Sequence, residues 1–260
     1  LDSFLIEITA NILRFRDEDG KPLLDKILDV AGQKGTGKWS AIAAMDENDP
    51  LTLITEAVYA RLLSALYPER IKAASLYSGK LKVESGKLSD NAQLSIEDVR
   101  QALYAAKLIS YAQGFSLLRH ASEHYGWDLD YGTIARIWRK GCIIRSVFLQ
   151  KITEAYRKDP DLENLLFDDF FHTKIQEALP AWRRVVAEGA LSGVALPAMS
   201  SALNYFDGLR TLYSAANMIQ AQRDYFGAHT YERTDRERGH FFHTNWTGEG
   251  GNTVSGTYSV

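Results

Sequence analysis

The sequence predicts an all-α protein: a large multi-helix domain followed by an extended C-terminal tail. Three observations carry this. Apolar residues recur three and four positions apart through most of the 260 residues, which is the spacing of one helical face. Alternation of apolar and polar residues, the mark of half-buried strands, is almost absent. Glycine, proline and aspartate gather between the periodic stretches, where helices must end.

Phe4, Leu5, Ile8, Ile12 and Phe15 form the first stripe. Asp17 to Pro22 is a polar break, and a short helix is expected from Pro22 to Asp29. Gly32-Gln33-Lys34-Gly35-Thr36-Gly37 is a glycine-rich loop. From Pro50, the set Leu53, Ile54, Ala57, Val58, Leu62 and Leu66 makes a helix expected to end at Pro68, because proline cannot continue a helix. Lys72 to Asn91 is polar and reads as an exposed connection with weak helical content. Ser95-Ile96-Glu97-Asp98 resembles a capping box with Asp as its last member. It opens a long helix through Val99, Leu103, Ala106, Ile109, Ala112, Gln113, Leu117 and His120. Further helices are expected over Tyr131–Lys140, Ile144–Arg157, Phe167–Glu188, Pro197–Thr211 and Ser214–Ala228, with breaks at Gly126, Gly141, Asp159-Pro160 and Gly193. After Glu232, Phe241, Phe242 and Trp246 follow no helical period, so the tail should stay loose or dock, for instance on another subunit. The chain is thus expected to divide into a helical body, 1–213, and a C-terminal helix and tail, 214–260.

Composition narrows the function classes. Hydrophobic residues at 45% and charged residues at 24% are ordinary globular values. The net charge of −3 gives no basic excess for nucleic acid. The single cysteine, Cys142, cannot form an intrachain disulfide and fits a reducing, cytoplasmic setting. No apolar run approaches the roughly 18 residues of a membrane span. The chain opens without Met, inside what reads as a helix, and is taken for a piece of a longer protein.

Few constellations carry chemistry. Gly32-x4-Gly37-Lys38 almost spells a phosphate-binding P-loop, but Trp39 stands where a magnesium-ligating Ser or Thr is needed. A weaker reading survives: glycines let backbone amides approach an anion, Lys34 and Lys38 bring charge, and a following helix would present its positive end. A solvated surface loop fits the same residues. Arg61 lies on an apolar helix, where it either snorkels to solvent or forks onto a carboxylate or phosphate. Arg223 and His229 lie in a segment dense in polar and aromatic residues, which is a helix C-terminus or a recognition element. His120 and His124 share a helix face, yet no HExxH surrounds them. No metal site, nucleophile triad or GxGxxG fingerprint is evident.

The residue strings say more than their physics. Ile27 to Trp39 contains Ala31-Gly32-Gln33-Lys34-Gly35-Thr36-Gly37-Lys38-Trp39 and resembles the glycine-loop signature of the 6-phosphogluconate dehydrogenases. Leu51–Arg61, Tyr111–Phe115, Trp138–Phe148, Leu166–Phe171, Gln220–Glu232 and His243–Gly248 are similar to that family too, in order and over essentially the whole chain.

The resemblance implies an enzyme of two parts. One is an N-terminal Rossmann domain that holds NADP. The other is a helical domain that forms the substrate site and the dimer. Together they oxidise 6-phosphogluconate and decarboxylate it to ribulose 5-phosphate. The chain resembles the helical part only. The family's Lys…His-Asn-Gly-Ile-Glu-Tyr motif, with its catalytic Lys and Glu, is not in it, so no catalytic residue is assigned and the isolated chain is expected to be inactive. By resemblance, Lys34, Thr36 and Arg61 bind substrate, and Arg223 and His229 reach the site of the other subunit of a homodimer. Ser255, Gly256, Thr257 and Tyr258 are implied to approach the partner's NADP. A non-enzymatic helical module derived from the family is the alternative.

Overall fold

Helix α5, Ile96–Tyr125, is the longest described element and the frame of the unit Leu1–Phe206. The computed structural model describes residues 1–77, 94–139 and 142–248. Among these, ten α-helices and two short strands form, so the fold is all-α as expected. The capping box at Ser95 forms: Ser95 Oγ accepts the Asp98 N–H, and the Asp98 carboxylate accepts the Ser95 N–H. Gly126, at φ 66°, ends the helix in the left-handed conformation that suits glycine.

Two units are distinguished, Leu1–Phe206 and Asp207–Val260. In the first, α1 (Phe4–Arg14), α2 (Thr36–Asp46), α3 (Thr52–Ala65) and α4 (Tyr67–Tyr77) precede α5. Helices α6 (Tyr131–Ile137), α7 (Leu149–Lys158), α8 (Asp169–Leu191) and α9 (Pro197–Leu209) follow it, α9 running into the second unit. The most extensive pairing is α5 on α8. Small residues on α5, Ala102, Ala105 and Ala112, let Ile175, Ala178 and Trp182 of α8 join one buried core with α7. Phe115 lies 5.4 Å from the rings of both Trp138 and Tyr156, which seats α6 and α7 on the same rod.

Several boundaries differ from the expected ones, each for a physical reason. Ile144–Phe148 is not helical, because Ser146 pairs antiparallel with Ser3 and the Val147 N–H donates to the Asp2 carbonyl at 3.2 Å. Helix α7 therefore starts at Leu149. The expected Pro22–Asp29 helix shrinks to a 3₁₀ turn over Leu23–Lys26, since Asp29 is held by Arg70. Pro68 opens α4 instead of closing α3: in the first turn its missing N–H costs nothing. The connection expected over Lys72–Asn91 thus begins as helix to Tyr77, and the remainder lies outside the described residues. Phe167 belongs to a 3₁₀ turn, and Asp168 caps α8 by accepting the Phe170 N–H.

In the second unit, α10 (Ala216–Gly227) leads into β1 (Tyr231–Glu232), which pairs antiparallel with β2 (Phe241–Phe242). Through Thr244 and Trp246 the tail docks on α10 of its own chain. Asp224 of α10, fully buried, binds it through His243 Nδ1 at 2.9 Å, the Thr244 N–H at 3.0 Å and Trp246 Nε1 at 2.9 Å.

Candidate functional site

The glycine loop runs into the N-terminus of α2. Gly35 is the N-cap at φ 106°, a conformation glycine adopts without strain, and it has no side chain to cap the helix. The N–H groups of Thr36, Gly37 and Lys38 therefore start α2 without an internal acceptor. No strand precedes the loop: Ile27–Val30 is irregular, so the P-loop context is missing. Trp39 covers Gly35, with its nearest ring atom 3.5 Å from a Cβ placed there.

Helix α3 supports this loop along its length. A methyl group on Gly37 would sit 2.9 Å from Val58 Cγ2, so glycine lets α2 approach α3 closely. The Ala31 N–H donates to Ser64 Oγ at 3.0 Å, and that hydroxyl donates to the Arg61 carbonyl at 2.7 Å. Arg70 donates to the Asp29 carbonyl at 3.3 Å and pairs with its carboxylate. The Arg70 hydrogen bond holds the Asp29 carboxyl below the usual range, and Asp29 raises Arg70 in turn.

Lys34 in the loop and Thr36 at the head of α2 are exposed, and so is Arg61 on α3. Neither Lys34 nor Arg61 has an acidic partner among the described residues. Two cations without an acidic partner among those residues therefore stand on the loop that opens α2 and on the helix packed against α2, an arrangement suited to an anion. Thr36 also lines a cavity of about 890 Å³ bounded by residues of α1, α2, α3, α5 and α9, with walls such as Leu53, Ile54, Leu103 and Met199. Lys107 projects into it: burial lowers its pKa, Asp2 opposes the change, and its Nζ donates to Ser146 Oγ at 3.2 Å.

Arg223 and His229 belong to the second unit. Arg223, half-buried on α10, donates to Gln220 Oε1 at 3.2 Å. His229 follows the helix end, between Ala228 at φ 49° and Thr230 at φ 54°. Two left-handed non-glycine residues flanking a single position are unusual and cost energy, and such strain gathers at functional sites. A Cβ on Gly227 would lie 2.6 Å from His229 Nε2, so glycine makes room for the imidazole. Asp224 supports the turn by accepting the Thr230 N–H at 3.1 Å. Burial resists its ionisation, but the bonds from Thr244, His243 and Trp246 outweigh that and hold its pKa below the ordinary value.

Sequence reasoning did not single out Asp224 or assign a role to Gln113; an Asp between Arg223 and Tyr225 gives no sign that the tail folds onto it. His120 and His124 turn to Asp49 and Glu47, at 2.7 and 2.8 Å. Ser255, Gly256, Thr257 and Tyr258 lie outside the described residues. Those residues form no strand–helix–strand unit for a dinucleotide: their strands β1 and β2 are two-residue antiparallel pieces. Among them no helix is long and apolar enough to cross a membrane.

The fold and loop define a helical domain with an anion-ready glycine turn. The 6-phosphogluconate dehydrogenase C-terminal domain matches residues 1–246, and the chain belongs to that family. It is 56% identical to the decarboxylating 6-phosphogluconate dehydrogenase of Rattus norvegicus and 54% to that of Homo sapiens, each over 260 residues, 100% of this chain and 53% of the relative. The chain therefore spans about half the length of the curated relatives it matches. Plasmodium falciparum 6-phosphogluconate dehydrogenase, solved in apo form, with its cofactor NADP+ and with its substrate 6-phosphogluconate, superposes with a TM-score of 0.85. That match has 42% identity and covers 95% of this chain and 52% of that one.

Proposed function

We propose that this chain is the helical, substrate-binding and dimer-forming portion of an NADP-dependent 6-phosphogluconate dehydrogenase. The enzyme oxidises and decarboxylates 6-phosphogluconate to ribulose 5-phosphate in a reducing, cytoplasmic setting. The observation that carries the reading is the uncapped start of α2 with unpaired Lys34 beside it and unpaired Arg61 on the helix packed against it. A sugar phosphate needs such donors: backbone N–H groups and a guanidinium give charge-assisted bonds to its oxygens. Lys34, Thr36 and Arg61 bind and orient the phosphate end. Arg223 and His229, set by the strained turn after α10, complete the site of the partner subunit in a homodimer. NADP supplies the hydride acceptor. This chain's part is to hold the substrate and form the dimer.

The test is substrate affinity in the full-length enzyme. Lys34→Ala and Arg61→Ala should each weaken 6-phosphogluconate binding by about ten-fold or more, the loss expected for a charge-assisted bond worth about 1.5–3 kcal/mol. Titration calorimetry measures it directly. Unchanged affinity in both variants, with folding verified, removes the phosphate assignment.

A further inference from the structure

Gln113 sits in the middle of α5 and is fully buried. A buried amide needs partners at both ends. Its Oε1 accepts the Leu53 N–H at 3.0 Å, and its Nε2 donates to Thr52 Oγ1 at 2.9 Å. Thr52 and Leu53 begin α3, so the Leu53 N–H is one of those a helix leaves without an internal acceptor. Leu51, the N-cap, offers no side-chain cap. Helix α5 therefore caps α3 from 60 positions away in sequence.

This cap lies where it controls how α3 is seated. Beyond it, Leu53, Ile54 and Ala57 face the cavity, and α3 packs more on α2 than on α5. Neighbouring attachments exist: Asp49 accepts from Ser116 Oγ and meets His120 Nδ1, both at 2.7 Å, and Glu47 meets His124 Nδ1 at 2.8 Å. Gln113, Ser116 and His120 share one face of α5, so these attachments act at the same end of the α2–α3 pair. At the other end, Gly37 on Val58 and Ser64 on Ala31 bind the glycine loop to α3, and Arg70 of α4 links Asp29 to the Ser64 carbonyl. Whatever tilts α3 at Leu53 carries Arg61, Lys34 and Thr36 with it.

We propose that Gln113 is a positioning residue for the sugar-phosphate site: by capping α3 from α5 it sets the seating on which the geometry of Arg61, Lys34 and Thr36 depends. The inference rests on the reading of those three residues as the phosphate site. Gln113 itself touches no substrate. Its loss leaves the Asp49 attachment, so the pair shifts without coming away.

The experiment uses the full-length enzyme with Gln113→Leu, Arg61→Ala and the double variant. Gln113→Leu should raise KM for 6-phosphogluconate by about five- to ten-fold and leave KM for NADP and kcat within about two-fold, the pattern of lost uniform binding. On the Arg61→Ala background the same change should cost clearly less, because part of its effect passes through Arg61. Ile175→Val on α8, a destabilising core control, should leave KM unchanged. If Gln113→Leu does not fold, Thr52→Val removes one bond of the pair and should raise KM by about two- to three-fold. A fall in melting temperature with unchanged KM in Gln113→Leu or Thr52→Val, while Arg61→Ala raises it, overturns the positioning role and leaves the phosphate site standing. An unchanged KM in Arg61→Ala overturns the site and the inference together.

Discussion

Gly35 carries the most local constraint in the candidate site. At φ 106° a side chain meets its own backbone, and a left-handed non-glycine residue costs about 1–2 kcal/mol. Gly35→Ala should lower stability by about that amount and weaken sugar-phosphate binding, read by thermal melting and titration. No change in either quantity contradicts the role given to this turn. Asp224 is the corresponding residue of the second unit. Asp224→Ala leaves the Thr230 and Thr244 N–H groups, the Trp246 indole and the His243 ring without their acceptor. Unsatisfied buried groups cost about 1–3 kcal/mol each, so amide exchange across residues 230–246 should accelerate by ten-fold or more, by that same magnitude. Protection at the wild-type level in that variant speaks against Asp224 as the anchor of the tail.

At the scale of elements, the two carboxylates that organise helix ends respond to acid in the same direction. Asp98 is held at about 2, first by the Ser95 N–H, then by Arg184 and the Ser95 hydroxyl. A carboxyl with a lowered folded pKa binds fewer protons folded than unfolded. Its contribution is therefore complete above the ordinary carboxylate value of roughly 4 and is lost as pH falls through the folded value. The start of α5 should loosen between pH 4 and about 2, and the α10 tail should loosen below the ordinary range as Asp224 gains a proton. Exchange rates of amides near Ser95 and of the Trp246 indole, followed from pH 6 to 2, check this. A flat profile at Ser95 in wild type, or an unchanged one in Asp98→Asn, contradicts it. The capping box was legible in sequence because its members are three residues apart. The cap on α3 was not, because its donor residue and its acceptor are 60 positions apart.

At the scale of the molecule, apolar residues remain outside. Leu212 is 85% exposed, Tyr213 78% and Phe226 73%, and α1 leaves Leu13 and Phe15 more than half exposed. Faces of this kind mark interaction surfaces. A two-fold homodimer with an interface above about 2,000 Å² should form, and a monodisperse monomer at micromolar concentration in light scattering argues against it. Subunit mixing tests the shared site. In the full-length enzyme, Arg61→Ala subunits exchanged with Arg223→Ala subunits should yield heterodimers with one intact and one doubly damaged site. Activity then recovers toward half of wild type. If Arg223 serves its own subunit, every site carries one lesion and nothing recovers.

The sequence by itself determined the helical class, the start of α5 at Ser95, the glycine break at Gly126 and the turn into α2, since each follows from side chains within one or two helical turns of each other. Its ordered motifs also carried the family. Only the tertiary structure decided that Ile144–Phe148 is not helical, because the competing partner of that backbone is Asp2–Phe4, more than 100 positions away. Only it decided that Pro68 begins a helix, that the tail folds onto Asp224, and that Gln113 caps α3. The physical reason is common to all but Pro68, whose ring suits the first turn of a helix as well as its end. Periodicity records which face of a segment is apolar, whereas a buried hydrogen-bonding group is satisfied by whatever the fold brings beside it.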